Sequence, residues 1–231
     1  MASSENNKIR IEKFLSEQGI MSRREAQALL KTGGVLLNGK KVKETGIKID
    51  PEKDKVTVAN HGHVVLAQKE TIAVHKPRGV ISSKDTDGVK TIFDIFPDFA
   101  HLNTVGRLDK ESEGLILLSN DGVVTKIVTG KEHTIEKEYV VEVREDITPA
   151  MMARMCKGIK LRDGWTKPAF AEKIDKHTFR IVLTEGRKHQ IRRMSDACRL
   201  TIKSLKRIRV GNIELGGMYA GQWKKVSRKD I

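Results

Sequence analysis

Hydrophobic positions near the start of the chain recur at helical spacing in two short segments. In IRIEKFLSEQGI, Ile11, Phe14 and Leu15 fall on one face of a helix, which is typical of a helix that packs against a core. In SRREAQALLKTGG, Ser22 precedes the apolar repeat and Glu25 follows three residues later, the pattern of a capping box. The sequence therefore predicts two consecutive short helices.

Glycine and asparagine positions predict the turns around these helices. Gly19 and Gly33 stand where the helices should end, because glycine accepts the left-handed backbone of a helix stop. In VLLNGKKV, Asn38 and Gly39 separate two short apolar runs, a strong signal for a two-residue hairpin turn. Residues 51–70 begin with a proline and a charged run, which favours a connection between domains.

The remainder of the chain mixes period-two and helical patterns. KEYVVEV and FRIVLTEG predict half-buried strands and GLILLS a buried one, whereas TPAMMARMCKGI and KHQIRRMSDACRL predict helices. Strands outnumber helices, and the two do not alternate regularly. We therefore predict an α+β domain with a mainly antiparallel or mixed sheet flanked by helices, and not a doubly wound parallel sheet.

The charge of the chain indicates a polyanionic partner. The 231 residues carry a formal net charge of +14, which is typical of proteins that bind nucleic acid. The segment 187–209 alone holds nine Lys or Arg residues against one acid, Asp196. Such a band predicts salt-sensitive binding to phosphates, and a solvated charged face is the alternative.

Other classes of protein fit the composition poorly. The chain has two cysteines, Cys156 and Cys198, and no CxxC motif paired with histidines, which argues against a disulfide framework and against a structural zinc site. His61 and His63 have no further ligand at suitable spacing, so we expect a linker there and no metal. The sequence has no apolar run long enough to span a membrane and no signal-peptide core. We therefore expect a soluble, cytoplasmic protein without membrane contact.

One carboxylate stands between basic residues in the segment VGRLDKESEGLILLSNDG. Asp109 lies between Arg107 and Lys110, and basic neighbours favour the charged form of a carboxylate. Asp109 is therefore a candidate for catalysis by an ionised acid. The alternative is a structural aspartate at a turn or a helix start.

Four motifs, in their order and spacing, resemble those of an enzyme family. These motifs are KPRGV (76–80), GRLDKESEGLILLSNDG (106–122), KEY (137–139) and EGRKHQIRRM (185–194). They are similar to the pseudouridine synthases of the RsuA/RluB/RluE/RluF group, which modify ribosomal RNA, over about residues 70–225. His189 is a departure, because many members carry arginine there, whereas the related RluA branch carries histidine.

This resemblance implies an isomerase with the pseudouridine synthase fold and without cofactor or metal. Pseudouridine formation breaks the N1–C1′ bond of uridine, turns the base and rejoins it through C5, so no atom is lost. Asp109 would start the reaction, by attack on C1′ or by removal of the C2′ proton. Arg192 would orient this acid through paired hydrogen bonds. Tyr139 would stack on the extruded uracil, with its hydroxyl near the C5 proton; a half-buried strand tyrosine is the alternative.

The two helices and the basic hairpin resemble the S4-type RNA-binding domain, and a helix–hairpin cap with a solvated face is the alternative. We expect an S4-like domain at 8–55, a linker at 56–68 and a catalytic domain at 69–231. Cations expected to contact RNA are Arg10, Arg23, Arg24, Lys40, Lys76, Arg78, Arg107, Arg187, Lys188 and Arg193. For Arg193 a surface charge, and for the KPRGV segment an ordinary turn, fit equally well.

These observations together predict a ribosomal RNA pseudouridine synthase. Large-subunit (23S-type) RNA is favoured over small-subunit RNA, either free or in an assembly particle, with the enzyme acting as a monomer. One alternative is a non-catalytic RNA-binding or ribosome-assembly factor. Another is a nucleic-acid hydrolase that uses Asp109, although no second carboxylate or metal-ligand pattern accompanies it.

Overall fold

The chain folds into two compact units. The structure, a computed structural model, describes residues 8–18, 20–59, 69–84, 88–130 and 135–231. Within these residues, the first unit comprises the chain up to Lys69 together with Asp121–Val123, and the second comprises Glu70–Asn120 and Val124–Ile231. The predictions for Gly19, His61 and His63 concern positions outside the described residues.

The first unit combines two helices with short antiparallel strands. Its elements are β1 (Ile9–Arg10), α1 (Ile11–Glu17), α2 (Arg23–Lys31), β2 (Val35–Leu37), β3 (Lys40–Val42), β4 (Lys48–Ile49) and β5 (Val56–Val58). Strand β1 pairs with β4, and β2 lies between β3 and β5. One apolar core, which includes Ile11, Leu15 and Leu30, holds these elements together.

Local sequence signals explain this unit. The Ser22 hydroxyl accepts a hydrogen bond from the backbone N–H of Glu25 at 3.2 Å, and the Glu25 carboxylate accepts one from the backbone N–H of Ser22 at 2.7 Å. This capping box confirms the predicted start of α2. Asn38 and Gly39 have φ angles of 51° and 80°, so both adopt the left-handed backbone that the predicted hairpin turn requires.

Residues 56–58 correct the predicted start of the linker. They form β5, in which Val56 and Val58 pair with Leu37 and Val35 of β2. Both valines also pack against the core of the first unit. The charged run before them suggested a connection, but alternate valines are what the edge of a half-buried sheet requires.

The second unit contains most of the strands. Its elements are β6 (Thr71–Lys76), α3 (Ile92–Ile95), β7 (Asn103–Val105), β8 (Glu113–Ser119), α4 (Gly122–Thr129, of which the first two residues belong to the first unit), β9 (Lys137–Val143), α5 (Pro149–Lys157), β10 (Lys160–Leu161), β11 (Gly164–Trp165), β12 (Phe170–Lys173), β13 (Thr178–Leu183), α6 (Gln190–Ala197), β14 (Ile202–Val210), β15 (Ile213–Glu214) and β16 (Trp223–Lys225). Single 3₁₀ turns occupy Pro97–Phe99 and Arg228–Asp230.

A nine-stranded mixed sheet forms the centre of this unit. Its main order is β12-β13-β9-β14-β8-β6-β16, with β7 paired to β8 and β15 paired to β14. Among the described pairs of this sheet, β14 and β8 run parallel and the others run antiparallel. The α+β class with a mixed sheet, predicted from the irregular order of strands and helices, is confirmed.

The centre of the sheet is covered on both faces. Ile116 and Leu118 of β8 enter one apolar cluster, whereas Leu115 and Leu117 enter another. Successive side chains of a strand point to opposite faces, so β8 is a continuous apolar run because both of its faces are buried. A third cluster packs β9, β13 and β14 against α5 and α6.

Gly114 is required where the parallel strands meet. Its φ angle is 106°, and a Cβ atom at this position would lie 2.2 Å from the carbonyl oxygen of Arg207 in β14. Only glycine can both adopt this backbone and permit so close an approach. The contact fixes the end of the loop between β7 and β8, which carries Asp109.

Candidate active site

A cleft of about 1140 Å³ opens in the second unit. Its walls come from the loop between β7 and β8, from strands β9 and β14, and from the segment that leads into α6. Asp109 and Tyr139 line it together with Arg192. The three residues with a predicted catalytic role, which are distant in sequence, are thus brought to one cavity.

The loop that carries Asp109 is fixed by hydrogen bonds at both ends. The backbone N–H of Ser112 donates to the carbonyl of Asp109 at 3.0 Å, which closes a turn after the acid. Before the acid, the Ser82 hydroxyl donates to the carbonyl of Leu108 at 2.9 Å and accepts from its N–H at 3.2 Å. The N–H of Gly79 donates to the carbonyl of Lys110 at 2.8 Å. The backbone around Asp109 is therefore held rigidly.

Two basic side chains approach the Asp109 carboxylate. Arg192 Nε lies 3.6 Å from Oδ2, and His189 Nε2 lies 3.5 Å from Oδ1. The Asp109 side chain is 36% exposed, so it reaches the cleft while its two oxygens face cationic or hydrogen-bonding groups. A carboxylate oriented in this way at the edge of a cleft suits nucleophilic or general-base chemistry.

Arg192 holds the acid differently from the expected fork. Its Nη2 donates to the Ser112 hydroxyl at 3.1 Å, and its Nε faces the acid. Ser112 is 1% exposed and closes the turn that follows Asp109. The guanidinium thus spans the carboxylate and its supporting loop, and does not make paired hydrogen bonds to the carboxylate alone.

The start of α6 places both basic partners. His189 precedes the helix with a left-handed backbone, φ 52° and ψ 34°. Gln190, which is buried, accepts from the N–H of Arg187 at 3.0 Å and donates to Glu185 Oε1 at 2.7 Å. These hydrogen bonds fix the turn. His189 and Arg192 are one helical turn apart, so their side chains both face Asp109.

Tyr139 lies on β9 where two cores meet. It packs against both the cluster around α5 and α6 and the cluster around α3. Its strand partners are Ile181 of β13 and Arg207 of β14. Tyr139 is half-buried and lines the cleft, so the ring has one face against protein and access to the cavity.

The environment of Lys76 contradicts its predicted role. This residue, expected to contact RNA, is fully buried and donates from Nζ to the carbonyls of Pro77 and Ser112, both at 2.8 Å. Burial lowers the pKa of its ammonium from 10.5 to about 8, and Glu111 and Asp109 partly oppose that shift. Enclosed in this way, Lys76 supports the loop after Asp109 and does not offer its charge to a phosphate.

The basic band of residues 187–209 is largely paired within the protein. Arg187 and Arg193 both bind Asp163, and Arg209 binds Glu136 and Glu138. Arg207 is 5% exposed. The band is therefore not the continuous free stripe that its sequence indicated, because acids from β9 and from the β10–β11 turn neutralise part of it.

The other cations predicted to meet RNA are distributed over both units. Arg107 and Lys188 are exposed and line the cleft. Arg78 is exposed, 4.0 Å from Glu111. In the first unit, the exposed residues among these cations are Arg10, Arg23, Arg24 and Lys40. Their contact with RNA stays a prediction.

Several residues of the cleft have no clear sequence signal of their own. Ser112 and His189 contact the acid or its partner. Lys137, at the start of β9, lines the cleft, and burial beside Arg207 lowers its pKa. A lysine at the end of an otherwise mostly apolar strand is the signal that could have marked Lys76.

The described residues contain neither a metal-binding group of side chains nor a membrane-spanning helix. In that part of the chain no three His, Cys, Asp or Glu side chains are grouped so that they could hold a metal ion. No helix there is both long and apolar enough to cross a bilayer. These findings concern the described ranges alone.

Comparison with known proteins identifies the class. A family model described as RNA pseudouridylate synthase matches residues 70–197, and a model of the S4 domain matches residues 9–56. The chain belongs to the RNA pseudouridylate synthase family. It is therefore an isomerase, with an S4 domain ahead of the pseudouridine synthase domain, as the four motifs and the first two helices predicted.

Individual relatives agree with this assignment over nearly the whole chain. An uncharacterized RNA pseudouridine synthase of Aquifex aeolicus is 36% identical over 96% of this chain and 92% of its own length. The ribosomal large subunit pseudouridine synthase B of Bacillus subtilis is 34% identical, over 96% and 93%. The dual-specificity RNA pseudouridine synthase RluF of Escherichia coli is 34% identical, over 98% and 78%.

A solved structure supports the same fold. A crystal structure of a pseudouridylate synthase superposes with a TM-score of 0.70 and 28% identity. The match covers 96% of this chain and 97% of the other.

Proposed function

We propose that this enzyme converts one uridine of large-subunit ribosomal RNA to pseudouridine, with Asp109 as the carboxylate that starts the reaction. The observation that carries the proposal is the Asp109 carboxylate in the cleft, with Arg192 at 3.6 Å and His189 at 3.5 Å. The choice of RNA is supported by relatives named as ribosomal large subunit pseudouridine synthases at 33% and 34% identity.

The proposed reaction needs a single ionised acid. The acid attacks C1′ of the uridine, or removes the C2′ proton, and the N1–C1′ bond breaks. The free uracil turns within the cleft, and C5 bonds to C1′ as the bond between C1′ and the acid breaks, or as C2′ regains its proton. The C5 proton then leaves and N1 takes up a proton, so no atom of the nucleotide is lost. The uridine must first be extruded from its stack, which costs a few kcal/mol, roughly, and less in a loop or a distorted helix.

Tyr139 and Arg192 are proposed to serve two different steps. Arg192 orients Asp109, because its guanidinium contacts both the acid and Ser112 of the supporting turn. Tyr139 offers its ring to the extruded uracil and its hydroxyl to the C5 proton. The position of Tyr139 in the wall of the cleft supports this role.

RNA binding is proposed to be shared between the two units. In the first, residues 8–55, the exposed cations Arg10, Arg23, Arg24 and Lys40 contact phosphates. In the second, residues 69–231, the exposed Arg107 and Lys188 contact phosphates beside the cleft. Arg78, Arg187 and Arg193 are also proposed to contact the RNA. We further propose that the enzyme acts as a monomer in the cytoplasm, on free ribosomal RNA or on an assembly particle.

The test is release of tritium from ribosomal RNA labelled at C5 of uridine. Wild-type enzyme should release the label, because only rejoining through C5 expels it. Asp109→Asn should lower the rate by at least about 10²-fold while RNA binding persists, since the amide keeps the shape of the acid without its charge. Mapping of pseudouridine in ribosomal RNA from cells with and without the gene would then identify the position.

Asp98→Asn is the matched control, because Asp98 is an exposed aspartate of the same unit that does not line the cleft. It should release tritium at the wild-type rate. Turnover by Asp109→Asn equal to that of the control would exclude Asp109 as the initiating acid. A modified uridine found only in small-subunit RNA would overturn the proposed substrate.

A further inference from the structure

The β10–β11 hairpin presents an exposed tryptophan beside the cleft. Lys160 pairs with Trp165 and Leu161 with Gly164, so the hairpin is closed by Arg162 and Asp163. Trp165 is 64% exposed. Among the described residues, Trp165 makes no ring stacking or cation–π contact. Such contacts are made elsewhere, by Phe99 with Trp223 and by Phe170 with Arg180. Trp165 is thus a large free ring on a short, well-defined turn.

Arg187 connects this hairpin to the wall of the cleft. Its Nη1 donates to the carbonyls of Asp163 and Gly164 at 3.4 and 3.3 Å, and its Nη2 donates to the carbonyl of Trp165. Arg187 itself lines the cleft, as does Lys167, two residues after the tryptophan. The hairpin therefore borders the cavity, and Trp165 is held at its rim.

The chain before and after Trp165 is equally fixed. Thr166 is buried and makes two hydrogen bonds with Ile159. The N–H of Thr166 donates to the Ile159 carbonyl at 3.0 Å, and the Thr166 hydroxyl accepts from the N–H of Ile159 at 2.9 Å. The N–H of Lys167 donates to Glu185 Oε1 at 2.9 Å. Because these bonds order the backbone in the free protein, a ligand of the ring would not need to organise the hairpin.

The charge around the ring favours nucleic acid. Residues 160–167 contain the cations Lys160, Arg162 and Lys167 against a single acid. That acid, Asp163, binds Arg193, whose hydrogen bond lowers the pKa of the carboxyl. Lys160 pairs directly across the hairpin from Trp165, so the two side chains lie on the same face. An exposed ring with a cation beside it suits a base and its phosphate.

We propose that Trp165 is a stacking platform for a nucleobase that flanks the target uridine in the RNA. Lys160 and Lys167 contact the adjoining phosphates. Arg187 and Arg193, besides their proposed contacts with RNA, position the hairpin through their hydrogen bonds to it. The proposal deepens the proposed function and rests on it, since the ribosomal RNA is the ligand. It adds a binding subsite outside the residues that perform the isomerisation.

Fluorescence of Trp165 provides a direct test, because the chain has only two tryptophans. In a Trp223→Phe background, the emission of Trp165 should be quenched by a short oligouridylate. An abasic strand of the same length and charge should quench it far less, because it offers phosphates without rings. Equal quenching by the two strands, or none by either, would contradict stacking.

Substitution of Trp165 should separate binding from chemistry. Trp165→Ala should raise Kd for the oligouridylate, and KM for ribosomal RNA, by about 10-fold, with kcat unchanged, since loss of one base stack is of this size. Trp165→Phe should lose less. Trp223→Phe is the matched control, because Trp223 is 49% exposed on β16. An unchanged Kd and KM in Trp165→Ala would overturn the proposal.

Two other outcomes can be distinguished: a role of Trp165 in binding protein, and failure of the proposed function itself. If Trp165→Ala modified deproteinised RNA normally but failed on ribosomal particles, the ring would bind a protein, and the proposal for a base would be wrong. If the wild-type enzyme formed no pseudouridine in ribosomal RNA, the proposed function would fail. Base-dependent quenching of Trp165 would still be measurable in that case, since it requires no turnover.

Discussion

Asp109 and Arg192 form an ion pair of 3.6 Å between Oδ2 and Nε, and the same guanidinium donates to the Ser112 hydroxyl at 3.1 Å. One arginine on α6 thereby contacts the acid and the turn that follows it. The arrangement gives a structural reason for a single acid among basic residues, because the cation holds both the acid and the loop that carries it. It also fixes the direction in which the carboxylate points.

Arg192→Lys should therefore lose rate while it keeps charge. A lysine ammonium cannot contact Asp109 and Ser112 at the same time with the planar geometry of a guanidinium. We expect kcat to fall by about 10-fold, and by about 10²-fold in Arg192→Ala, as the acid moves from its productive position. Single-turnover tritium release at saturating enzyme measures this step without contribution from binding.

Arg144→Ala is a suitable comparison, because Arg144 is an exposed arginine of the same unit that does not line the cleft. It should leave single-turnover rates unchanged. If Arg192→Ala reduced only the affinity for RNA, Arg192 would be a phosphate contact, and another group would have to orient Asp109.

Tyr139→Phe distinguishes the role of the Tyr139 hydroxyl from that of its ring, because it removes only the hydroxyl. The phenylalanine ring keeps the contacts with both cores, so the unfolding midpoint and the Kd for RNA should not change. Release of the C5 proton should slow by about 10²-fold if the hydroxyl takes part in proton transfer. A kinetic isotope effect with uridine deuterated at C5 should then appear.

The other tyrosine of the chain, Tyr219, is 77% exposed. Tyr219→Phe should retain the wild-type rate and show no isotope effect. Wild-type proton release in Tyr139→Phe would restrict Tyr139 to packing or stacking.

Arg23 and Arg24 should contribute to RNA affinity and not to folding. Both are exposed in the first turn of α2, where positive charge opposes the helix dipole. Replacing both by Gln should leave the S4 domain folded, reduce affinity for ribosomal RNA, and lower the slope of log Kd against log salt by roughly 2. A salt titration of RNA binding measures the slope.

Lys13→Gln serves as the control in the same domain, because Lys13 already pairs with Glu17 at 3.4 Å on α1. The slope should change less in this variant. A double variant with the wild-type slope would show that Arg23 and Arg24 do not contact phosphates.

Features with short-range causes were predictable from the sequence. The capping box of Ser22 and Glu25, and the turn at Asn38 and Gly39, depend on residues at most three positions apart. The strands that carry the site were also predicted, since period-two patterns survive in β9 and β13. The motif resemblance indicated which residues to seek in the cleft.

Features that depend on distant pairing were not predictable. Arg187 and Arg193 looked like free cations, yet both bind Asp163, which the fold brings close through the β10–β11 hairpin. Lys76 looked like an exposed loop residue, yet β6 is fully buried and its last side chain turns to the carbonyl of Ser112. Composition and local pattern contain no information on such partners.

Lys76 should make the stability of the enzyme depend on pH above neutrality. Its folded pKa is lowered to about 8 from the ordinary 10.5, chiefly by burial. Between these values the unfolded chain binds more protons than the folded one, so the free energy of unfolding should rise with pH. Below pH 8 the lysine is protonated in both states, and the cost of its burial is then fully present. The whole shift corresponds to on the order of 3 kcal/mol.

Urea unfolding of wild type and Lys76→Met, followed from neutral pH to above 10, isolates this contribution. The difference between the two curves should change in favour of wild type as the pH rises through 8, because Met carries no proton to lose. At neutral pH the variant avoids a buried charge but leaves the carbonyls of Pro77 and Ser112 without their donor. Those lost bonds shift its curve by a constant amount and do not alter the slope. Two parallel curves would show that Lys76 keeps its ordinary pKa in the folded enzyme, and that its ammonium is stabilised enough by the two carbonyls and the nearby acids to offset burial.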